Sequence, residues 1–259
     1  FIGDNSGIIA LNKPAWIAKF YKPEDEIQKL NHCDERINQI IQKAPSWNIA
    51  YAVGNPAWIQ LIFERIISEY KLATIHDIWP SLSVLLHSGI NFEPYKPSFE
   101  LTLRKPLLYI NTYAATEAFM GFQTDKYDNS MQLILNNGVY YELLPFTNEY
   151  FDENGNLINS YCTTLNLEDA ELNKTYALVI STASGAWHYL LGDLVRFTDV
   201  NQSKIQLVGR TKANLNLTGE HVSIGNIESV IIELNKHLPV KIKEYTVVGE
   251  RIDTHFGHH

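Results

Sequence analysis

The sequence of 259 residues predicts an α/β protein whose second half is rich in β-strands. Over the first 115 residues, segments with helical spacing of apolar residues alternate with short apolar runs, a pattern typical of α/β units. From residue 131 onward, strand-like runs separated by Gly and Asn turn signals replace the helices. A polar stretch at 210–216 then precedes one more helix and strand, which predicts a smaller α+β unit.

The first part is predicted to contain two helices and two buried strands. Residues 22–45 predict one amphipathic helix, because apolar residues recur at helical spacing, the first turn is acidic and a proline lies at the end. Residues 56–70 predict a second helix, with proline at its first position. The short apolar runs at 81–89 and 105–115 predict buried strands.

The second part is predicted to be built from strands. Residues 131–146 contain two strand-like runs around Asn136-Asn137-Gly138, a sequence that predicts a β-hairpin. The runs at 175–182 and 188–197 flank "ASGAW" and predict a second hairpin or a bent strand pair. The remaining predicted elements are a strand at 204–209, a helix at 223–238 and a last strand at 243–250.

The polar stretch "RTKANLN" at 210–216 predicts a domain boundary. Residues 1–208 would then form the latter part of a larger domain. Residues 209–259 would form a hinge and the first part of a smaller one.

Composition and charge exclude several classes of partner. The net charge of −8 disfavours a protein that coats nucleic acid, since such proteins are usually basic. No apolar run reaches the roughly 18 residues of a membrane span, and the first residues do not resemble a signal peptide. Cys33 and Cys162 are isolated in the sequence, which favours a reduced, cytoplasmic chain. The terminal "HFGHH" is either natural sequence or the start of a purification tag.

Thr116 and Glu117 are polar residues that directly follow the end of a predicted buried strand. Ligands of open α/β sheets bind at the carboxyl ends of strands. A hydroxyl there can donate to a phosphate oxygen, a carboxylate can hold Mg²⁺, and Tyr113 can stack on a base. The alternative is a surface loop with a solvated glutamate.

Two further stretches contain residues suited to binding a nucleotide. Asp193 follows Gly192 in "YLLGD", where its carboxylate could accept hydrogen bonds from both ribose hydroxyls. Arg210 follows the predicted strand at 204–209, and arginine is well suited to recognising phosphate. The alternatives are an ordinary β-turn aspartate and a surface turn.

The order and spacing of these motifs resemble the adenylate-forming enzyme superfamily. Tyr113-x-x-Thr116-Glu117 comes first, then Gly192-Asp193, then the segment 209–228, which begins with Gly-Arg and ends with Gly-x-Ile-Glu. Within that superfamily the chain is similar to the plant auxin-responsive acyl acid amido synthetases, the Gretchen Hagen family, and more closely to their bacterial homologues. The segments with this similarity include "GDNSGI", "VGNPAWI", "YAATEAFMGFQ", "NGVYYELLPF" and "GRTKANLNLTGEHVS".

The resemblance implies that ATP and a small carboxylic acid form an acyl-adenylate, which an amino acid then converts into an amide. It implies that Tyr113 stacks on adenine, Thr116 contacts the α-phosphate and Glu117 binds Mg²⁺. Asp193 would hold the ribose, with Arg210 close to it. Of this family's fold, the chain would contain the latter part of the large domain, which binds the nucleotide and the acyl group and has mixed sheets and a β-rich subdomain, and the start of the small α+β domain.

The resemblance also assigns the strand end at Ser88 and Gly89 to nucleotide binding. It assigns Lys212 to the hinge about which the small domain rotates between two states, one for each half-reaction. Trp58, Phe119 and Phe122 could line an apolar pocket for the acid, or they could be plain core residues. Two alternatives to amide formation stay open, namely ligation to CoA and a relative that binds nucleotide without turnover. The sequence leaves the acid, the acceptor and the oligomeric state open.

The chain departs from the family pattern in four places. The Ser/Thr/Gly-rich phosphate loop that precedes "GDNSGI" in the family is missing, and the small domain stops early. His221 stands where the family has lysine, and Ala118 where it commonly has glycine. We therefore expect a fragment that has no adenylating activity by itself.

Overall fold

The computed structural model describes residues 13–30, 32–89, 91–159, 161–212, 214–215, 222–239, 242, 245–247, 249–252 and 255–258. The chain divides into two compact units, Phe1–Thr116 and Glu117–His259. The predicted boundary between 208 and 209 stays a prediction. Among the described residues, no helix combines the length and apolarity needed to cross a bilayer.

The first described elements of this unit are three helices, α1 at Ala15–Ala18, α2 at Asp25–Gln28 and α3 at Cys33–Lys43. The single helix predicted over 22–45 is therefore wrong. The helical conformation ends after α2, and the Leu30 carbonyl there accepts a hydrogen bond of 2.7 Å from Arg36 Nη2. A new helix then starts with Asp34 and Glu35 in its first turn, where the helix dipole favours negative charge.

The helix predicted over 56–70 is confirmed as α4, Pro56–Tyr70. Asn55 Oδ1 accepts from the backbone N–H of Ala57 at 3.0 Å and caps its start. Its buried face includes Phe63, which is 2% exposed. The Phe63 ring lies 5.9 Å from Trp79 and 5.4 Å from Phe99, measured between centroids. These rings form the centre of the first unit's core.

Three parallel strands form the sheet of the first unit, with β2 in the middle. They are β1 at Tyr51–Gly54, β2 at Val84–His87 and β3 at Leu108–Ala114. Helix α4 connects β1 to β2, and the short α5 at Lys96–Glu100 lies between β2 and β3. The strands predicted at 81–89 and 105–115 are thus confirmed. Because the strands are parallel, their carboxyl ends lie at one edge.

The second unit contains a six-stranded antiparallel sheet with the order β4-β5-β9-β8-β7-β6. Its strands are β4 at Phe119–Phe122, β5 at Met131–Leu133, β6 at Val139–Pro145, β7 at Thr175–Thr182, β8 at Tyr189–Asp199 and β9 at Lys204–Arg210. The hairpin predicted around "ASGAW" is confirmed as β7 and β8, and the strand predicted at 204–209 is confirmed as β9.

The hairpin predicted around Asn136–Gly138 is wrong, although both of its strands exist. β5 pairs with β4 and β9, whereas β6 pairs with β7 along all seven of its residues, from Val139 to Pro145. The turn residue Asn137 instead hydrogen bonds to β4, because its Nδ2 donates to the Phe119 carbonyl at 2.7 Å. Longer tertiary pairing therefore overrides the local turn signal.

The last described elements are two short strand pairs and a helix. β10 at Asn214–Leu215 pairs with β11 at Val222–Ser223, and β12 at Gly249–Ile252 pairs with β13 at His255–His258. The helix predicted at 223–238 is confirmed as α6, Ile224–His237.

The last predicted strand, 243–250, is wrong at residues 245–247 and agrees with the structure only at Gly249 and Glu250, while 243, 244 and 248 lie outside the described residues. Residues 245–247 lie outside any strand, and β12 begins only at Gly249. Just before this segment, the side chain of Asn235 hydrogen bonds to both backbone groups of Ile242, at 3.1 and 2.7 Å. The backbone N–H and C=O of Ile242 therefore hydrogen bond to a side chain rather than to a neighbouring strand.

Candidate functional site

The carboxyl edge of the first unit's parallel sheet holds several of the predicted site residues. Ser88 and Gly89 directly follow β2, and Thr116 follows β3. Gly89 has φ of 88°, a left-handed conformation that favours glycine. Thr112 Oγ1 donates to the His87 carbonyl at 3.0 Å, which fixes β3 to β2 near this edge. Ligands bind at such strand ends in open α/β sheets.

Thr116 and Glu117 occupy a bend after β3, as predicted. Thr116 is exposed and Glu117 is half-buried, so neither side chain is sealed into the core. The cost of burying an unpaired carboxylate therefore does not arise at Glu117. Both side chains are accessible enough to meet a phosphate or a metal ion.

Tyr113 lies within β3 and is 3% exposed. A ring that stacks on adenine must offer one of its faces to the base. Stacking at Tyr113 therefore requires neighbouring groups to move away from the ring, and this role stays a prediction.

Asp193 and Arg210 are cross-strand partners in the second unit. They pair directly in the register of β8 and β9, and Arg210 Nε lies 3.1 Å from Asp193 Oδ1. Only 16% of the Asp193 side chain is exposed, against 64% for Arg210. Gly192, the strand residue before Asp193, has a φ of 85°, a left-handed conformation that favours glycine. The carboxylate is thus held in place while the guanidinium remains open to a ligand.

The aromatic residues proposed for the acid pocket are all at the surface. Trp58 is 54% exposed on α4, and Phe119 and Phe122, on β4, are 48% and 40% exposed. None of the three is a core residue. Because Trp58 belongs to the first unit and the two phenylalanines to the second, the pocket stays a prediction.

Lys212, the predicted hinge residue, is exposed and follows β9 by two residues. The residues that contact its neighbour Thr211 were not predicted from the sequence. The loop at 152–156 approaches the Thr211 carbonyl through Gly155, and the Thr211 N–H donates to the Gly192 carbonyl at 2.8 Å. The only sequence signal for this contact is the turn-forming string "DENGN".

His87, the last residue of β2, is buried and 5% exposed. Its ring centroid lies 4.8 Å from that of Phe92. Among the described residues, nothing hydrogen bonds to its Nδ1. Burial lowers the pKa of His87 from 6.5 to about 4, because the charged imidazolium would lose its hydration.

This depressed pKa predicts that the protein loses stability in mild acid. The unfolded state binds a proton at His87 near pH 6.5, while the folded state resists protonation until about pH 4. Between pH 8 and pH 5, the free energy of unfolding should therefore fall by about 2 kcal/mol through this group. His87→Leu should remove that part of the pH dependence in urea unfolding. His237→Leu, at an exposed histidine, is the control variant. Equal pH slopes of the unfolding free energy for wild type and His87→Leu would contradict the prediction.

Comparisons with known proteins support the resemblance seen in the sequence. Residues 132–210 match the family model described as GH3 family central domain. This segment includes Asp193 and Arg210. The indole-3-acetic acid-amido synthetase GH3.4 of Arabidopsis thaliana is 25% identical over 182 residues, which cover 66% of this chain and 30% of the relative.

Two solved structures have a similar fold. The acyl acid amido synthetase AtGH3.15 in complex with 2,4-DB aligns with a TM-score of 0.64 at 16% identity, covering 86% of this chain and 47% of its own. A 2-hydroxyisobutyryl-CoA ligase in the postadenylation state, in complex with R3-HIB-AMP, aligns with a TM-score of 0.54 at 15% identity, covering 76% and 40%. The chain spans less than half the length of each of these relatives. The alignments with these two structures show that the chain shares their fold, and its residues 132–210 match the GH3 family central domain.

Proposed function

We propose that the protein to which this chain belongs activates a small carboxylic acid with ATP and passes the acyl group to an amino acid. The observation that supports this most directly is the Asp193–Arg210 pair, held across β8 and β9 inside the segment that matches the GH3 central domain. The fixed carboxylate suits a ribose diol, and the exposed guanidinium beside it suits a ribose or phosphate oxygen.

In the first half-reaction, a carboxylate oxygen of the acid attacks the α-phosphorus of ATP, and the bond to pyrophosphate breaks. This displacement needs positioned charge and hydrogen-bond donors rather than a protein nucleophile. The Thr116 hydroxyl would donate to the α-phosphate. Asp193 would fix the ribose, and the backbone at Ser88 and Gly89 would contact the nucleotide.

Glu117 is the residue we propose to hold Mg²⁺. Among the described residues, no three His, Cys, Asp or Glu side chains form a cluster that could hold a metal by themselves. One carboxylate together with substrate phosphates and water is a common environment for Mg²⁺. Magnesium at this place would neutralise charge on the phosphates.

The identity of the acid and of the acceptor follows from assays rather than from the fold. Trp58, Phe119 and Phe122 offer exposed aromatic surface to an apolar acid. The isolated Cys33 and Cys162 favour a cytoplasmic location.

The decisive experiment is a pyrophosphate-release screen of the full-length protein across carboxylic acids, with amino acids and CoA as alternative acceptors. If no acid releases pyrophosphate although ATP binds, the protein is a nucleotide-binding relative and the proposal fails.

Asp193→Asn is expected to weaken ATP binding more than it slows chemistry in the full-length protein. The substitution keeps the shape but removes the charge that strengthens hydrogen bonds to the ribose, which is worth roughly a ten- to hundredfold change in affinity. Calorimetric titration with ATP measures this change, and kcat at saturating ATP should vary much less.

The matched control is Asp199→Asn, at the end of the same strand. Asp199 Oδ1 accepts from the Gln202 N–H at 3.0 Å, a bond that asparagine can also make. ATP affinity should not change in this variant. An Asp193→Asn variant that binds ATP like wild type would contradict the ribose role.

A further inference from the structure

A tight loop in the second unit contacts the chain just before the proposed hinge. Phe151 and Leu157 form an isolated antiparallel bridge that closes this loop. Inside it, the Asp152 N–H donates to the Asn156 carbonyl at 2.8 Å, and the Gly155 N–H donates to the Asp152 carbonyl at 3.0 Å. Phe151 is buried in the core of the second unit, so the loop is anchored at its base. We call residues 152–156 the seat loop.

Gly155 is the point where the seat loop meets the strand that leads to the hinge. Its φ is 72°, and a Cβ added there would lie 1.6 Å from the Thr211 carbonyl oxygen and 3.2 Å from the Lys212 nitrogen. No side chain fits in that space. Only glycine allows both this backbone conformation and this close approach.

Thr211 is held from the other side as well. Its N–H donates to the Gly192 carbonyl at 2.8 Å, and only 3% of the residue is exposed. Thr211 is therefore confined between Gly192 of β8 and the seat loop. Lys212, the next residue, is exposed instead.

The seat loop also places a negative charge near Lys212. Asp152 Oδ1 accepts from the backbone N–H groups of Asn154 and Asn156 at 2.9 and 2.8 Å. Hydrogen bonds from Asn156 lower the pKa of Asp152 most, and the bond from Asn154 and the charge of Lys212 lower it further. Asp152 is therefore an ionised carboxylate in the loop whose Gly155 lies against the backbone of Thr211 and Lys212.

We propose that the seat loop is a positioning element, which fixes Thr211 and confines the hinge rotation to the chain from Lys212 onward. Gly155 provides the steric seat, and Asp152 attracts Lys212 in one of the two hinge states. This inference rests on the proposed function, because it takes Lys212 as the hinge between the two half-reactions. Two half-reactions that need different hinge states would then respond unequally to a change in the seat.

The test compares the two half-reactions in the full-length protein. Acid-dependent exchange of pyrophosphate into ATP measures the first, and acceptor-dependent product formation measures the second. Asp152→Asn retains an oxygen that can accept from Asn154 and Asn156 but loses the charge. We expect the ratio of the two rates to shift by about two- to fivefold, the size typical of an exposed charge pair. Glu153→Gln, on the next exposed residue of the same loop, is the matched control and should leave the ratio unchanged.

A double-variant cycle separates positioning from general loss of structure. Asp152→Asn and Lys212→Gln alone should each shift the ratio, and the double variant should shift it no further than either single variant, because both changes remove the same charge interaction. A merely structural role predicts that the two effects add. If the single variants leave the ratio unchanged, or if their effects add, the positioning role is overturned.

Hydrogen exchange provides a measurement that does not depend on activity. Gly155→Ala should speed exchange of the Thr211 amide roughly tenfold, because the added methyl group displaces the Thr211 backbone from Gly192. Amides in the middle of β7 should keep their protection, which controls for global unfolding. Unchanged Thr211 exchange would overturn the steric seat, and if Gly155→Ala does not fold, the double-variant cycle decides. If wild type lacks all adenylation, the proposed function fails, while the exchange experiment still tests the seat.

Discussion

Replacing Glu117 with Gln in the full-length protein is expected to reduce acid-dependent pyrophosphate release by about 10²–10³-fold, the usual cost of losing one positioned group at a transition state. The side chain keeps its size, and Glu117 is half-buried at a bend outside the strands, so the fold should be retained. The loss should appear in the metal-dependent chemical step, because the neutral amide is a much weaker ligand for Mg²⁺. Raising the Mg²⁺ concentration should recover part of the activity.

Glu149→Gln is the matched control for this experiment. Glu149 is an exposed glutamate of the same unit, in a turn that follows β6. The variant should retain full activity and the same dependence on Mg²⁺. If Glu117→Gln stays within about threefold of wild type, Glu117 is a solvated loop residue and the proposed metal site is wrong.

Phe63→Ala should lower the free energy of unfolding by about 3–5 kcal/mol, the range for removing a buried phenylalanine ring. Phe63 is 2% exposed and contacts both Trp79 and Phe99. Truncation removes the apolar contact area and leaves a cavity that rigid neighbouring rings fill poorly. Urea unfolding followed by tryptophan fluorescence measures the effect, since Trp79 lies beside the deleted ring.

Leu101→Ala serves as the control, because Leu101 is 78% exposed. Its effect should stay within about 0.5 kcal/mol, as is usual for surface positions. If Phe63→Ala costs no more than Leu101→Ala, the ring cluster around α4 is not the core of the first unit.

The sequence by itself determined the elements whose signals are local and strong. Helix α4 has a capping asparagine, a proline at its first position and a wide apolar face, so its bounds of Pro56–Tyr70 agree with the prediction. The hairpin of β7 and β8 and the helix α6 were predicted for the same reason. The motif order also predicted the adenylate-forming fold, which the similarity to solved structures supports although the sequence identity is low.

Only the tertiary structure decided how the strands pair. The turn signal at Asn136–Gly138 is local, but β6 gains seven residues of pairing with β7, a strand far along the sequence. Local propensity is worth little compared with such pairing, so the predicted hairpin does not form. The single helix predicted over 22–45 does not form for a similar reason. The Arg36 side chain of α3 hydrogen bonds to the Leu30 carbonyl, just after the end of α2.

The candidate functional site also combines features predicted from the sequence with features that only the tertiary structure decided. The sequence indicated Thr116, Glu117, Asp193 and Arg210 as polar residues near strand ends. The fold places Thr116 and Glu117 just after β3 and Arg210 at the end of β9, whereas Asp193 lies inside β8. The direct contact of Asp193 with Arg210 depends on the register of β8 and β9, which no local pattern encodes. The approach of Gly155 to Thr211 joins residues 56 positions apart in the sequence. Such contacts arise only when separate strands and loops pack, because packing selects which of many compatible partners meet.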